Sequence, residues 1–120
     1  MTQGGMTQGG MTQGGMTQGG MTQFDGRVVF TVTWKVRADA VEAAAGIVAR
    51  FAPEARKEPG LELLMVNRNA ADPSEFLFYE IFKDAAAFEA HQQTPHFRTM
   101  ILEEALSLLS ERARVEYALV

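Results

Sequence analysis

The 120-residue chain has no cysteine, one tryptophan, and only 11 lysines and arginines against 15 acidic residues. Without cysteine there is no disulfide framework, zinc ribbon, iron–sulfur cluster or thiol nucleophile. The formal charge of −4, with Arg56-Lys57 as the densest basic cluster, excludes the basic surface that nucleic-acid binding requires. No apolar run approaches the ~18 residues of a membrane span. Neither a basic n-region nor an apolar h-region opens the chain, so no secretory signal is visible and a cytoplasmic protein is expected. Glycine is scarce too outside one segment, because eight of the 11 glycines fall in residues 1–20.

That segment is four copies of MTQGG, followed by Met21, Thr22 and Gln23 of a partial fifth. It carries no charge and no aromatic ring. A period of five is far below the ~20–50 residues of stacking repeats, and Gly-Gly in every unit maximises backbone entropy. Residues 1–23 are therefore expected to be a flexible tail. Its five in-frame methionines allow translation to begin at any of them, Met21 included. Residues 24–120 make one domain, long enough to bury roughly 60–65% of its unfolded surface.

Within the domain, Val28, Phe30, Val32, Trp34 and Val36 alternate with Thr31, Thr33, Lys35 and Arg37, which predicts a half-buried strand over 27–37. Asp39 and Glu42 resemble a capping box, and Val41, Ala44, Ala45, Val48, Phe51 and Ala55 follow at helical spacing. Pro53 is expected to kink or interrupt that helix, and Pro59-Gly60 to end it. Strands are predicted over 61–68 and 75–82, joined through an Asp72-Pro73 turn. Leu61, Leu63 and Met65 share an apolar face that Asn67 interrupts.

The 75–82 strand is apolar on both faces and needs two covering layers, of which the helices can supply one. Asp84 caps a helix to Gln93, Thr94-Pro95 restarts it to about Leu109, and residues 112–119 alternate again. The order β-α-β-β-α-β predicts an α+β, ferredoxin-like fold: a four-stranded antiparallel sheet with both helices on one face.

Few residues can carry chemistry. No glycine-rich turn joins a strand to a helix, and neither a serine elbow nor HExxH occurs, so no cofactor is expected. His91 and His96 titrate near neutrality, but two histidines without a third ligand at useful spacing make a poor metal site, so no metal is expected. The alternative is that one of them caps or packs near the helix start. Glu80 shares a strand face with Phe78 and Phe82. It is an edge charge, a structural partner of an arginine or histidine, or a carboxylate that orients an imidazole general base. Trp34, Tyr79, Tyr117 and the phenylalanines either line an aromatic pocket or pack the core. Asn67 binds a ligand or begins the turn.

Glu58-Pro59-Gly60-Leu61, the run Phe78 to Asp84 (FYEIFKD), Phe88-Glu89-Ala90-His91 and Thr94-Pro95-His96-Phe97 occur in an order that resembles the antibiotic biosynthesis monooxygenase family, from about Val28 to Val120. The resemblance implies a ferredoxin-like homodimer whose sheets meet face to face as a barrel. It also implies one of several reactions: cofactor-free oxidation of phenolic or quinol-like polycycles, haem degradation, or breakdown of small signalling molecules. The haem-degrading branch has asparagine, tryptophan and an iron-ligating histidine where this chain has Val32, Phe82 and Ile101, so the resemblance does not extend to haem chemistry. Glu80, His91 and His96 are the matching polar positions.

The expectation is a cofactor-independent monooxygenase acting on a phenol or hydroquinone. His91 is its base, Glu80 orients that base, and Asn67, Tyr79, Trp34, His96 and Phe82 contact the substrate. The alternatives are an isomerase or degradative enzyme for a small oxygenated metabolite, and a non-catalytic dimer that binds a small apolar molecule.

Overall fold

The computed structural model describes residues 26–120; the expected tail lies outside the described residues. Strand β1 (Val28–Val36) leads through a 3₁₀ turn (Ala38–Ala40) into helix α1 (Val41–Ala55). A hairpin of β2 (Leu61–Arg68) and β3 (Glu75–Phe82) follows, then helices α2 (Ala85–Gln93) and α3 (Phe97–Ala105). A second 3₁₀ turn (Leu106–Leu108) delivers β4 (Leu109–Tyr117). The strands form one sheet in the order β2-β3-β1-β4, every pair antiparallel. This is the ferredoxin-like arrangement expected from the sequence. Among the described residues no helix is long and apolar enough to cross a membrane.

Alternation decides which side of the sheet is covered. Val32, Trp34, Phe76 and Phe78 point toward the helices and join Ile47, Phe51 and Ile101 in the buried core. The hairpin is fixed locally. Asn69 Oδ1 accepts from the Ala71 and Asp72 backbone N–H groups at 2.8 and 3.1 Å, and Asp72 Oδ1 accepts from the Ser74 N–H at 3.1 Å.

Several expectations need correction. The register of β2 on β3 shifts between Leu61 and Leu63. This bulge turns Leu64 and Val66 inward and leaves Leu63, Met65 and Asn67 on the opposite face, so Leu61 and Met65 do not share a side. Pro53 does not interrupt α1. It sits on the exposed side two residues before the helix ends, where water can satisfy the carbonyl it leaves unpaired. Asp39 makes no side-chain cap; its carboxylate lies 3.4 Å from Arg37 Nε.

Helix α3 winds as a π-helix, with i→i+5 bonding, a form found often at functional sites. Phe97, Ile101 and Ala105, four apart, face the core. On β4 the apolar set Ala113, Val115 and Tyr117 pairs with Thr33, Thr31 and Val29. It therefore lies on the sheet face that the helices leave open. The strand's helix-side positions are Arg112, Arg114 and Glu116 instead, of which the two arginines line the cavity beneath the helices.

Candidate active site

Helices α1, α2 and α3 close over the sheet to leave a cavity of about 30 Å³. Rings of Trp34, Phe51, Phe78, Phe88 and Phe97 line it, together with four polar side chains: Glu80, His91, Arg112 and Arg114. That volume holds one or two water molecules. An aromatic ligand enters only when side chains of the wall move. Arg114 forms part of that wall, its guanidinium 5.0 Å from the Phe30 ring centre and 5.1 Å from that of Phe88.

His91 stands in the last turn of α2, a helix that Asp84 starts by accepting the Ala87 N–H at 2.8 Å. The imidazole is 3% exposed. Its Nδ1 lies 2.9 and 3.0 Å from the two carboxylate oxygens of Glu58, and His96 Nε2 lies 2.5 Å from one of them. A carboxylate can only accept, so each ring presents an N–H to Glu58. That fixes His91 in the Nδ1–H tautomer and leaves its Nε2 as a lone-pair acceptor.

Local chemistry brings these groups together. Gly60, in the turn after α1, lies so close to α2 that a Cβ there would come within 2.4 Å of Ala87 Cβ. Only glycine lets the Glu58-Pro59-Gly60 turn rest against α2. At the other end, the Thr94 N–H and hydroxyl both donate to the His91 carbonyl, at 3.2 and 2.7 Å. This ends α2 and turns the chain so that His96 comes back to Glu58.

Burial pushes the His91 pKa below its ordinary value, the Glu58 carboxylate opposing the shift. The ring is therefore neutral at neutral pH. Glu80 differs. It is 8% exposed, and among the described residues its carboxyl has no hydrogen bond or ion pair. Burial pushes its pKa up to about 7, with Arg112 and Arg114 pulling the other way and Glu58 adding a smaller upward push.

The expected partnership is thus corrected: the carboxylate on His91 Nδ1 is Glu58, not Glu80. His91, Glu80 and Trp34 line the cavity together. His96 sits behind it on Glu58, and Phe82 packs fully buried, its ring centre 5.0 Å from that of His91. Asn67 and Tyr79 are not brought to this site. Asn67 pairs with Leu77, Tyr79 with Met65 and Thr31, all on the open face. Glu58 also supplies the third donor that the two histidines lacked in sequence. The three ligating atoms lie within 4.8 Å of one another, near enough for one divalent cation, although their hydrogen bonds satisfy them without it.

Glu58, Arg112 and Arg114 had no assigned role in the sequence reading. An acid just past the C-terminus of a helix opposes the helix dipole, and that mismatch was the available signal for Glu58. For the arginines it was their alternation with Ala113 and Val115.

The family model for antibiotic biosynthesis monooxygenase matches residues 27–101. The uncharacterised protein sll1783 of Synechocystis is 28% identical over 92 residues, 77% of this chain and 62% of its own length; the chain thus spans less than two thirds of that relative. A Nitrosomonas europaea structure bearing the same family designation superposes with a TM-score of 0.76 at 26% identity, covering 83% of this chain and 95% of its own. PA3566 of Pseudomonas aeruginosa shares the fold, with a TM-score of 0.75 at 20% identity over 82% and 99% of the two chains.

Proposed function

We propose that this chain, which belongs to the antibiotic biosynthesis monooxygenase family, oxidises an electron-rich aromatic molecule of the hydroquinone type without a cofactor. The observation that carries this reading is His91: a neutral, buried imidazole on an aromatic cavity, with Nδ1–H held by Glu58 and, among the described residues, no hydrogen bond to Nε2. Such a nitrogen can take the proton of a phenolic hydroxyl. Glu58 keeps the ring in the productive tautomer and stabilises the imidazolium that forms.

The phenolate then supplies electrons to dioxygen. A hydroquinone and O₂ give a hydroxyquinone and water, so one oxygen atom enters the product and the other leaves reduced. The apolar walls keep bulk water from the anion.

The folded unit in this reading is residues 24–120, with 1–23 appended, working as a cytoplasmic homodimer. The open sheet face supports the dimer: Met65, Leu77, Val115 and Tyr117 are each between 41 and 51% exposed there, an apolar patch of the kind that marks an interface.

Oxygen uptake with a panel of hydroquinones tests the activity. His91→Ala should lower turnover by about 10²–10⁴, the range of a lost acid–base group. Undiminished turnover in the folded variant would remove His91 from the mechanism. Tight binding of a panel member with no oxygen uptake would make the protein a ligand carrier instead.

A further inference from the structure

Two positive charges stand at the edge of the cavity. Arg112 and Arg114 stand two apart on the helix side of β4 and both line it. Among the described residues neither guanidinium has a carboxylate within ion-pair distance. Arg114 rests on two phenyl rings, and both side chains stay exposed to solvent at the edge of the cavity; partial burial, with Arg114 beside it, pulls the Arg112 pKa down, Glu80 opposing that shift. The carboxyl lining the same cavity, Glu80, feels both arginines but forms no ion pair with either. The other acid nearby, Glu58, is taken by two imidazoles. Two guanidiniums without an ion pair among the described residues, exposed at the edge of a wall made mostly of aromatic rings, suit an aromatic ligand that carries an anion.

We infer that the ligand of this cavity is an aromatic acid, its carboxylate held by Arg112 and Arg114 and its ring set among Trp34, Phe78 and Phe88. This names the substrate class of the site proposed above and rests on that placement. A guanidinium fork matches a planar carboxylate in two parallel hydrogen bonds. Glu80 faces the same space and, when protonated, donates a hydrogen bond to the bound anion. When ionised it competes for the arginines. The charged groups that bear on Glu80 are Arg112 and Arg114 from β4 and Glu58 from the turn after α1; His91 of α2 lines the same cavity, and Glu116 follows Arg114 on that side of β4. The residues that pair with it on β1 and β2 are Phe30 and Leu64.

The single tryptophan lines the cavity, so its fluorescence reports occupancy without any turnover. The probes are 2,5-dihydroxybenzoic acid and its neutral amide, titrated anaerobically into the full chain. The acid should bind about tenfold or more tighter than the amide, as expected for a charge-assisted pair of bonds. The double variant Arg112→Gln/Arg114→Gln should abolish that preference, while Glu80→Gln should keep it. In wild type the acid's affinity should fall as pH rises through about 7, where Glu80 ionises, and Glu80→Gln should flatten that fall.

Equal affinity for acid and amide would overturn the inference, as would a preference that survives loss of both arginines in a folded protein. Failure of the monooxygenase reading looks different: the acid binds with the stated preference, yet oxygen uptake is absent.

Discussion

The two faces of this sheet are built from the same strands and have opposite fates. From β3, Phe76, Phe78, Glu80 and Phe82 go beneath the helices, and all four are buried. Leu77, Tyr79 and Ile81 go to the other side, where no helix among the described residues covers them and Leu77 is 41% exposed. The covered face carries polar groups that a core does not need: a buried carboxyl and a buried imidazole, with two guanidiniums exposed at its edge. The open face mixes Leu77, Ile81, Met65 and Val115 with threonines and Asn67, its charges Lys35, Glu75 and Glu111 gathered at one end. Apolar surface left open is best explained by another protein surface, and polar groups kept inside are best explained by a ligand and its chemistry.

The largest expected effect comes from placing a charge on the open face. Leu77→Arg should convert the proposed dimer, which would bury on the order of 1,500 Å², into a monomer by sedimentation. The cavity should stay formed, because Leu77 does not line it. A wild-type protein that is already monomeric at micromolar concentration would erase the contrast between the faces.

A smaller effect belongs to the covered face. The Glu80 carboxyl titrates at about 7 when folded, against an ordinary value of 4.5. The folded state therefore binds the proton more tightly than the unfolded state, and stability is lost as pH rises between those values. Full ionisation costs about 3 kcal/mol. Glu80→Gln should stabilise the protein by up to that amount above pH 7 and change little below about 4.5. Chemical denaturation across this range checks it. A pH-independent difference would mean that Glu80 is not desolvated as described.

The smallest effect separates the faces by function. Asn67→Ala and Tyr79→Phe should each change aromatic-ligand affinity by no more than about twofold, the usual size for substitutions away from a site. Asn67 and Tyr79 lie across the sheet from His91. A tenfold loss in either, measured by Trp34 fluorescence, would put a ligand on the open face.

How much of this was legible depended on distance along the chain. Strands 61–68 and 75–82 were found at their observed ends because alternation and turn chemistry are local properties. The two-sided character of β3, and the open face it implies, followed from the same pattern. What alternation cannot carry is a bulge. One extra residue between Leu61 and Leu63 reversed the apparent facing of Met65 and Asn67.

The site failed for a related reason. Glu58 and His91 are 33 residues apart and Glu58 and His96 are 38, so only the docking of α2 against Gly60 brings them together. Glu80 looked like the partner of His91 because it was the carboxylate visible on a strand facing the core. It does face the cavity, but with arginines rather than the imidazole bearing on it. The π winding of α3 left no mark that hydrophobic spacing could distinguish from an ordinary helix.

The protonation state of His91 bears most directly on the central claim, that Glu58 sets this ring as a neutral base with its proton on Nδ1. Nitrogen-15 NMR of the histidine rings across the pH range reads it without a substrate. The expected result is a neutral Nδ1–H tautomer at neutral pH that gains a second proton only below the ordinary histidine value of 6.5, with that tautomeric preference weakened in Glu58→Gln. An Nε2–H tautomer, or an imidazolium already present at neutral pH, would contradict it.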